Sequence, residues 1–382
     1  YFEEKKEFLL QGKLLSTARV AQENDGECLY FEKTEGLGVP IDYATIKDIP
    51  ELENMEFIQN PQGTLFKLTK GEYDLILDII REENPLPESA ETLEEYTRDD
   101  FLSEVYMTGD NYDILRNILM KKQNLILQGA PGVGKTFAAK RLAYSIMGVI
   151  DESRVEFIQF HQNYSYEDFI MGYKPEEDGG FILQKGIFYK FCRMAKSAPE
   201  KSFFFIIDEI NRGNLSKIFG ELLMLIENSY RSDKHAVKLA YSDEKFYVPD
   251  NLYIIGMMNT ADRSLAMIDY ALRRRFSFFE MEPGFNSEGF TKYQNGFANE
   301  SVNALIDQIK ALNKEITDDK SLGRGFQIGH SYFCGREEAG CTDEWMRSVV
   351  EFDILPMLGE YWFDEPDNLS RWEKNLRGVF DD

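Results

Sequence analysis

The stretch NLILQGAPGVGKTFAAKRLAYSIM, residues 124–147, joins a short apolar run to a glycine-rich turn and then to a helical pattern. Asn124 to Gln128 reads as a buried strand, and the residues from Lys135 onward as a helix. Between them Gly129, Gly134, Lys135 and Thr136 complete G-x-x-x-x-G-K-[ST], in the strand–turn–helix context that marks a P-loop. The glycines let backbone N–H groups approach phosphate oxygens, and the helix N-terminus adds partial positive charge. Lys135 is expected to bridge the outer phosphates, and the Thr136 hydroxyl to ligate Mg²⁺. The expected phosphate cradle is Gly129, Ala130, Pro131, Gly132, Val133, Gly134, Lys135 and Thr136, with Phe137 following in the first helical turn.

Further strand-like runs stand at VEFIQF (155–160), SFFFII (202–207) and LYIIGMM (252–258), with helical stretches between them. Strands alternating with helices imply a mostly parallel sheet covered on both faces. In such sheets ligands bind at the carboxyl ends of the strands, where FFFII delivers Asp208 and Glu209. Asp208 is expected to hold Mg²⁺ directly or through water, and Glu209 to orient or deprotonate the attacking water. The run LYIIGMMN ends in Asn259, placed to touch the γ-phosphate or the water. Beyond it, Arg273, Arg274 and Arg275 close an amphipathic helical pattern. Cations at a helix C-terminus gain a few tenths to about 1 kcal/mol each. Their clustering makes more sense with the nucleotide as the anion. If such subunits pack in a ring, this helix end faces the neighbour's nucleotide as an arginine finger.

The chain has 382 residues, 43 Lys and Arg against 67 Asp and Glu, and a formal charge of −24. That balance argues against a generalised nucleic-acid surface, so any DNA contact has to be local or made through a partner. No apolar run is long enough to span a membrane. Cys28, Cys192, Cys334 and Cys341 show no C-x-x-C spacing, which fits a reducing cytosol rather than a disulfide framework or structural zinc. A chain that starts at Tyr1 reads as part of something longer. The expected division is a small β-rich unit over 1–81, an acidic solvated linker over 82–104, a large α/β unit over 105–283 and a helical unit over 284–382.

GAPGVGKT, FHQNYSYEDFIMGYKP (160–175), IIDEINRGNLSKIFGELLMLIE, MNTADRSLAMIDYALRRRF and FQIGHSYF (326–333) together resemble the McrB family of AAA+ proteins, over about residues 105–365. The resemblance implies a P-loop NTPase with a parallel sheet core and an α-helical lid. It implies a GTP-hydrolysing hexameric ring that translocates on modified DNA and works with an McrC-like nuclease subunit in the cytoplasm. It also implies Asn259 in the first-sensor position, an arginine finger among Arg273 to Arg275, and Asp262, Arg263 and Asp269 orienting the catalytic groups. GGFILQKGIFYKF and VKLAYSDEKFYVPDN look like hairpin insertions that line or flank a ring's pore. GTP over ATP rests on the resemblance alone, because a P-loop binds phosphates. NKEI (313–316) lacks the Asp of the N-K-x-D base-reading motif and reads as an exposed lid helix. Arg324 and His330 are candidate lid sensors. A MoxR-like ATPase that remodels protein complexes is the alternative. Residues 1–81 are similar to the end of a PUA-like or EVE/YTH-type barrel, with Tyr30 and Phe31 read as core.

Overall fold

The computed structural model describes residues 13–24, 28–47, 49–59, 69–84, 93–175, 179–261, 273–297, 299–335 and 341–380. At the N-terminal end, β1 (Lys13–Asn24) pairs antiparallel with β2 (Cys28–Asp42). Helix α1 (Lys70–Glu83) follows, opened by a capping box in which Thr69 and Glu72 satisfy each other's backbone N–H. Ile41, Ile46, Leu52, Met55 and Ile80 form a small core of their own here. The side chains of Tyr30 and Phe31 lie outside what the structure describes. Within the acidic stretch 82–104, Tyr96 and Phe101 are buried against the sheet unit rather than solvated.

Helix α2 (Gly109–Lys122) stops where Gln123 turns left-handed, with φ at 62°, and the chain enters the sheet at Asn124. The sheet contains β3 (Asn124–Gly129), β4 (Val155–Gln159), β7 (Phe203–Asp208), β10 (Leu252–Asn259) and β11 (Ser277–Glu280), in the order β11-β3-β10-β7-β4. Every neighbouring pair is parallel. Successive side chains of a strand face opposite sides, and both sides here are dry. Phe203, Phe205 and Ile207 join one core with Phe169, Phe188 and Phe219, while Phe204 and Ile206 join the other with Leu115, Leu142 and Ile255. Near-continuous apolar strands are what a sheet covered by helices on both faces requires. The edge strand β11 carries the less distinctive run SFFE, which the apolar pattern did not announce.

Two hairpins leave this frame: one stands at VKLAYSDEKFYVPDN, whereas the other begins upstream of GGFILQKGIFYKF, whose IFYKF opens the helix Ile187–Ser197 instead of a second strand. β5 (Met171–Pro175) pairs with β6 (Phe181–Lys185), and the shorter β8 (Val237–Lys238) with β9 (Lys245–Phe246). They meet edge-on through Tyr173 and Tyr241, whose ring centroids are 5.9 Å apart.

The C-terminal part is helical and has a separate core. Helix α3 (Glu300–Asp318) buries Val302, Leu305, Ile306, Ile309, Leu312 and Ile316, an i/i+3/i+4 stripe facing Val350, Leu358, Trp362 and Trp372. NKEI lies on this helix, but Asn313 is buried, not exposed. Its amide donates to the Ile328 carbonyl (2.9 Å) and accepts from the Ile328 N–H (2.6 Å). The stripe carries Asn313 into the core, where only two-way pairing with backbone makes an amide tolerable. No helix among the described residues is long and apolar enough to cross a membrane.

Candidate functional site

Parallel strands end on the same edge, so sheet order decides which residues meet there. Gly129 and Asn259 are register partners, since β3 and β10 are neighbours, and β7 beside β10 brings Asp208 and Glu209 to the same edge. The loop between β3 and the helix Lys135–Met147 arches over this edge. Lys135 is buried, and its ammonium donates to the carbonyls of Gly129 (3.0 Å) and Ala130 (2.8 Å). Burial pulls its pKa down to about 8, against the opposing pull of the Glu209 and Asp208 carboxylates. Thr136 is exposed at the helix start, and Phe137, also exposed, lies under the Arg141 guanidinium at 3.7 Å.

Asp208 accepts the Glu209 N–H at 2.9 Å, while burial pushes its carboxyl above the ordinary range. Glu209 has φ of 50°, a left-handed conformation that L side chains seldom adopt. That turn aims its carboxylate at Asn259, whose amide donates to Oε1 at 2.8 Å, and places Oε2 3.1 Å from Arg212. Arg212 was not singled out by sequence, although its i+3 spacing from Glu209 is the available signal. A water held between Glu209 and Asn259 would meet one acceptor and one donor, the pairing that orients a nucleophile.

The helical unit touches the loop directly. Gly132 (φ 76°) lies so close to Gly329 that a Cβ on Gly329 would stand 2.0 Å from the Gly132 carbonyl carbon, and Ser331 N–H donates to Gly132 O at 2.9 Å. His330, buried beside them, accepts the Gly284 N–H on Nδ1 (2.9 Å), and burial pulls its pKa down to about 4. The imidazole is therefore neutral, with its proton on Nε2. Arg324, the other lid candidate, is tied at the surface to Glu282 at 2.9 Å. A cavity of about 670 Å³ opens between Pro131, Asn259 and the aromatic Phe326, Tyr361 and Trp362 of the helical unit.

The arginine triplet is elsewhere. Arg273 ends a helix, and Arg274 and Arg275 occupy the turn after it, 3.6 Å and 4.0 Å from Glu227. The Arg275 carbonyl accepts from Asn124, the first residue of β3, whereas the P-loop begins at the last. Five strand rises separate those ends by about 17 Å. Within one chain these arginines do not reach their own P-loop. Asp262, Arg263 and Asp269 lie outside the described residues.

Residues 124–276 match the AAA domain (dynein-related subfamily), and residues 304–370 match the McrB alpha-helical lid domain. The chain is 50% identical over 293 residues to the Type IV methyl-directed restriction enzyme EcoKMcrB subunit of Escherichia coli (strain K12). That alignment takes in 75% of this chain and 64% of the relative, just under two thirds of its length. It is 26% identical over 260 residues to the Type II restriction enzyme BsuMI component YdiS of Bacillus subtilis (strain 168), covering 56% of this chain and 74% of that protein. An AAA core and an McrB-type lid, joined in one chain and meeting at the P-loop, make this protein a member of the McrB family of AAA proteins.

Proposed function

We propose that this chain is the GTP-hydrolysing motor of a modification-dependent restriction system, working as a hexameric ring on DNA with an McrC-like nuclease partner in the cytoplasm. The observation that carries the reading is the contact of Glu209 with Asn259 at 2.8 Å, beside a buried Lys135 and beneath a lid of the McrB type. The likeness to the E. coli relative, a methyl-directed restriction enzyme subunit, supports modified DNA as the target.

In this reading the backbone N–H groups of 129–136 and the Lys135 ammonium bind the triphosphate. Phosphate oxygens take the place of the Gly129 and Ala130 carbonyls as acceptors for Lys135. Glu209 accepts a proton from the attacking water, and Asn259 holds that water or the γ-phosphate in line. Thr136 and Asp208 would hold Mg²⁺, which supplies charge neutralisation between the outer phosphates. The site fits that ion, because Asp208 is a carboxylate made costly by burial and relieved by a cation. Arg274 or Arg275 serves the site of the next subunit, and Asp262, Arg263 and Asp269 orient these groups. Residues 1–81, 105–283 and 284–382 act as accessory, core and lid units, with the division inside 82–104. Strokes of the lid against the core, relayed round the ring, drive translocation.

The test is steady-state hydrolysis of GTP and of ATP, with and without the nuclease partner. GTP preference with stimulation by the partner is the expected result. ATP preference, indifferent to that partner, would instead place the chain with protein-remodelling ATPases.

A further inference from the structure

Arg231 is a fully buried cation with no place at the nucleotide edge, and a buried charge is retained only where oxygens surround it. Its Nε donates to the Ile226 carbonyl at 2.9 Å, Nη1 to the Leu252 carbonyl, and Nη2 to Asn124 Oδ1 at 2.6 Å. Burial brings its pKa to about 10, so the guanidinium stays charged at neutral pH. Asn124, wholly buried, spends its own amide N–H groups on the Ile226 carbonyl (2.7 Å) and the Arg275 carbonyl (3.1 Å). The carbonyl of Ile226 is thus held twice. The next residue, Glu227, places its carboxylate within 4.0 Å of both Arg274 and Arg275.

These contacts converge on one object. The Arg275 backbone is tied to Asn124, and the guanidinium groups of Arg274 and Arg275 meet a carboxylate whose loop is tied to the same Asn124 and to Arg231. We infer that Asn124 and Arg231 form a buried clamp that positions Arg274 and Arg275 for the nucleotide of a neighbouring subunit, with Glu227 steering their guanidinium groups. The inference rests on the finger reading above and deepens it. Asn124 opens the strand that ends in the P-loop, so the clamp fixes the outgoing arginines and the incoming phosphate cradle to the two ends of one rigid element. Such support is what a charge delivered across an interface requires, because an ångström of error at the transition state is costly.

Clamp residues are positioning residues, and their loss should injure the neighbour's site while sparing their own. Arg231→Met should lower the hydrolysis rate by about tenfold or more, with KM and nucleotide affinity within about twofold of the parent. A purely structural defect is separated by mixing subunits. Arg231→Met chains keep an intact P-loop, and Lys135→Ala chains keep an intact clamp and arginines. Mixed in one ring, the pair should recover hydrolysis that neither has alone. The doubly substituted Arg274→Ala, Arg275→Ala chain, mixed in the same way, is the control.

Recovery in the control but not with Arg231→Met overturns the clamp and leaves the finger standing. No recovery in the control overturns the finger reading, and the clamp falls with it. Should Arg231→Met fail to fold, Asn124→Asp takes its place. The carboxylate keeps an acceptor for Arg231 while deleting the donors to Ile226 and Arg275. If both variants unfold, the pair is general core support and the inference is overturned.

Discussion

Lys135 and Glu209 show how single side chains are constrained by where they stand. The Lys135 pKa is about 8 against an ordinary 10.5, because burial penalises the ammonium more than Glu209 and Asp208 favour it. The unbound folded state therefore holds fewer protons than the unfolded chain between those values, and stability rises with pH across that window. A bound triphosphate reverses the balance by favouring the ammonium. Binding should take up a proton above pH 8, and affinity should fall as pH rises from 7 to 9. Calorimetry in buffers of different ionisation heat reads that uptake directly, and equal heats in all of them would rule the linkage out. Lys135→Met should abolish nucleotide binding yet leave the unbound protein as stable or more so, because a buried charge disappears. At Glu209 the left-handed backbone costs about 1 kcal/mol and is held by what the side chain meets. Glu209→Gln keeps an oxygen for Asn259 but loses the proposed base. It should retain nucleotide while slowing turnover by about 10²- to 10⁴-fold, as single-turnover kinetics would report.

At the scale of elements, the telling contact is the lid segment Gly329–Tyr332 against Gly132 of the P-loop. Two glycines facing each other leave no room for a methyl group. Gly329→Ala should push the lid off the loop and weaken nucleotide binding without unfolding the helical core, which the stripe on α3 against Val350, Leu358, Trp362 and Trp372 holds together. Thermal unfolding measured beside nucleotide affinity separates the two effects. His330 adds a pH dependence to the same joint. Its pKa is depressed to about 4 from an ordinary 6.5, so docking is complete above 6.5 and weakens as pH falls toward 4. The window corresponds to about 3 kcal/mol. Replacing His330 with Asn preserves an acceptor for Gly284 N–H and removes the titration, and its acid sensitivity between pH 6.5 and 4 should shrink accordingly. Asn313 matters in the same unit for a different reason: cutting it to Ala strands the Ile328 N–H and carbonyl, at about 1–3 kcal/mol.

For the whole molecule, the proposed finger makes assembly part of the proposed chemistry, because Arg275 is tied to the end of β3 that lies about 17 Å from the start of the P-loop. Hydrolysis per chain should rise steeply with protein concentration and level off once rings are complete. A rate independent of concentration down to the monomeric range would mean that each chain is self-sufficient. The net charge of −24 has a consequence at this scale too. If DNA is gripped only at a few local points, the salt dependence of its binding should be shallow, with a log–log slope well below that of a protein neutralising about ten phosphates.

Which residues gather at the candidate nucleotide edge was legible in the sequence because the signals are local. A P-loop needs glycines and Lys-Thr at a fixed spacing, and buried parallel strands need uninterrupted apolar runs that end in a functional residue. Those features pointed to Lys135, Thr136, Asp208, Glu209 and Asn259 without reference to anything distant in the chain. The lid helix was legible for the same reason, its apolar stripe recurring every three or four residues. The reading failed where a neighbour far along the chain decides. Asn313 looks like a solvated helix residue until Ile328 is placed beside it, and β11 is too short for its run to stand out. Arg231 and Asn124 carry no pattern at all. Their roles depend on carbonyls from three separate segments, at Ile226, Leu252 and Arg275, converging at the foot of the sheet. Local spacing determines which groups can do chemistry, whereas long-range packing alone decides which buried polar groups find partners, because desolvation penalises each of them until the tertiary fold supplies one.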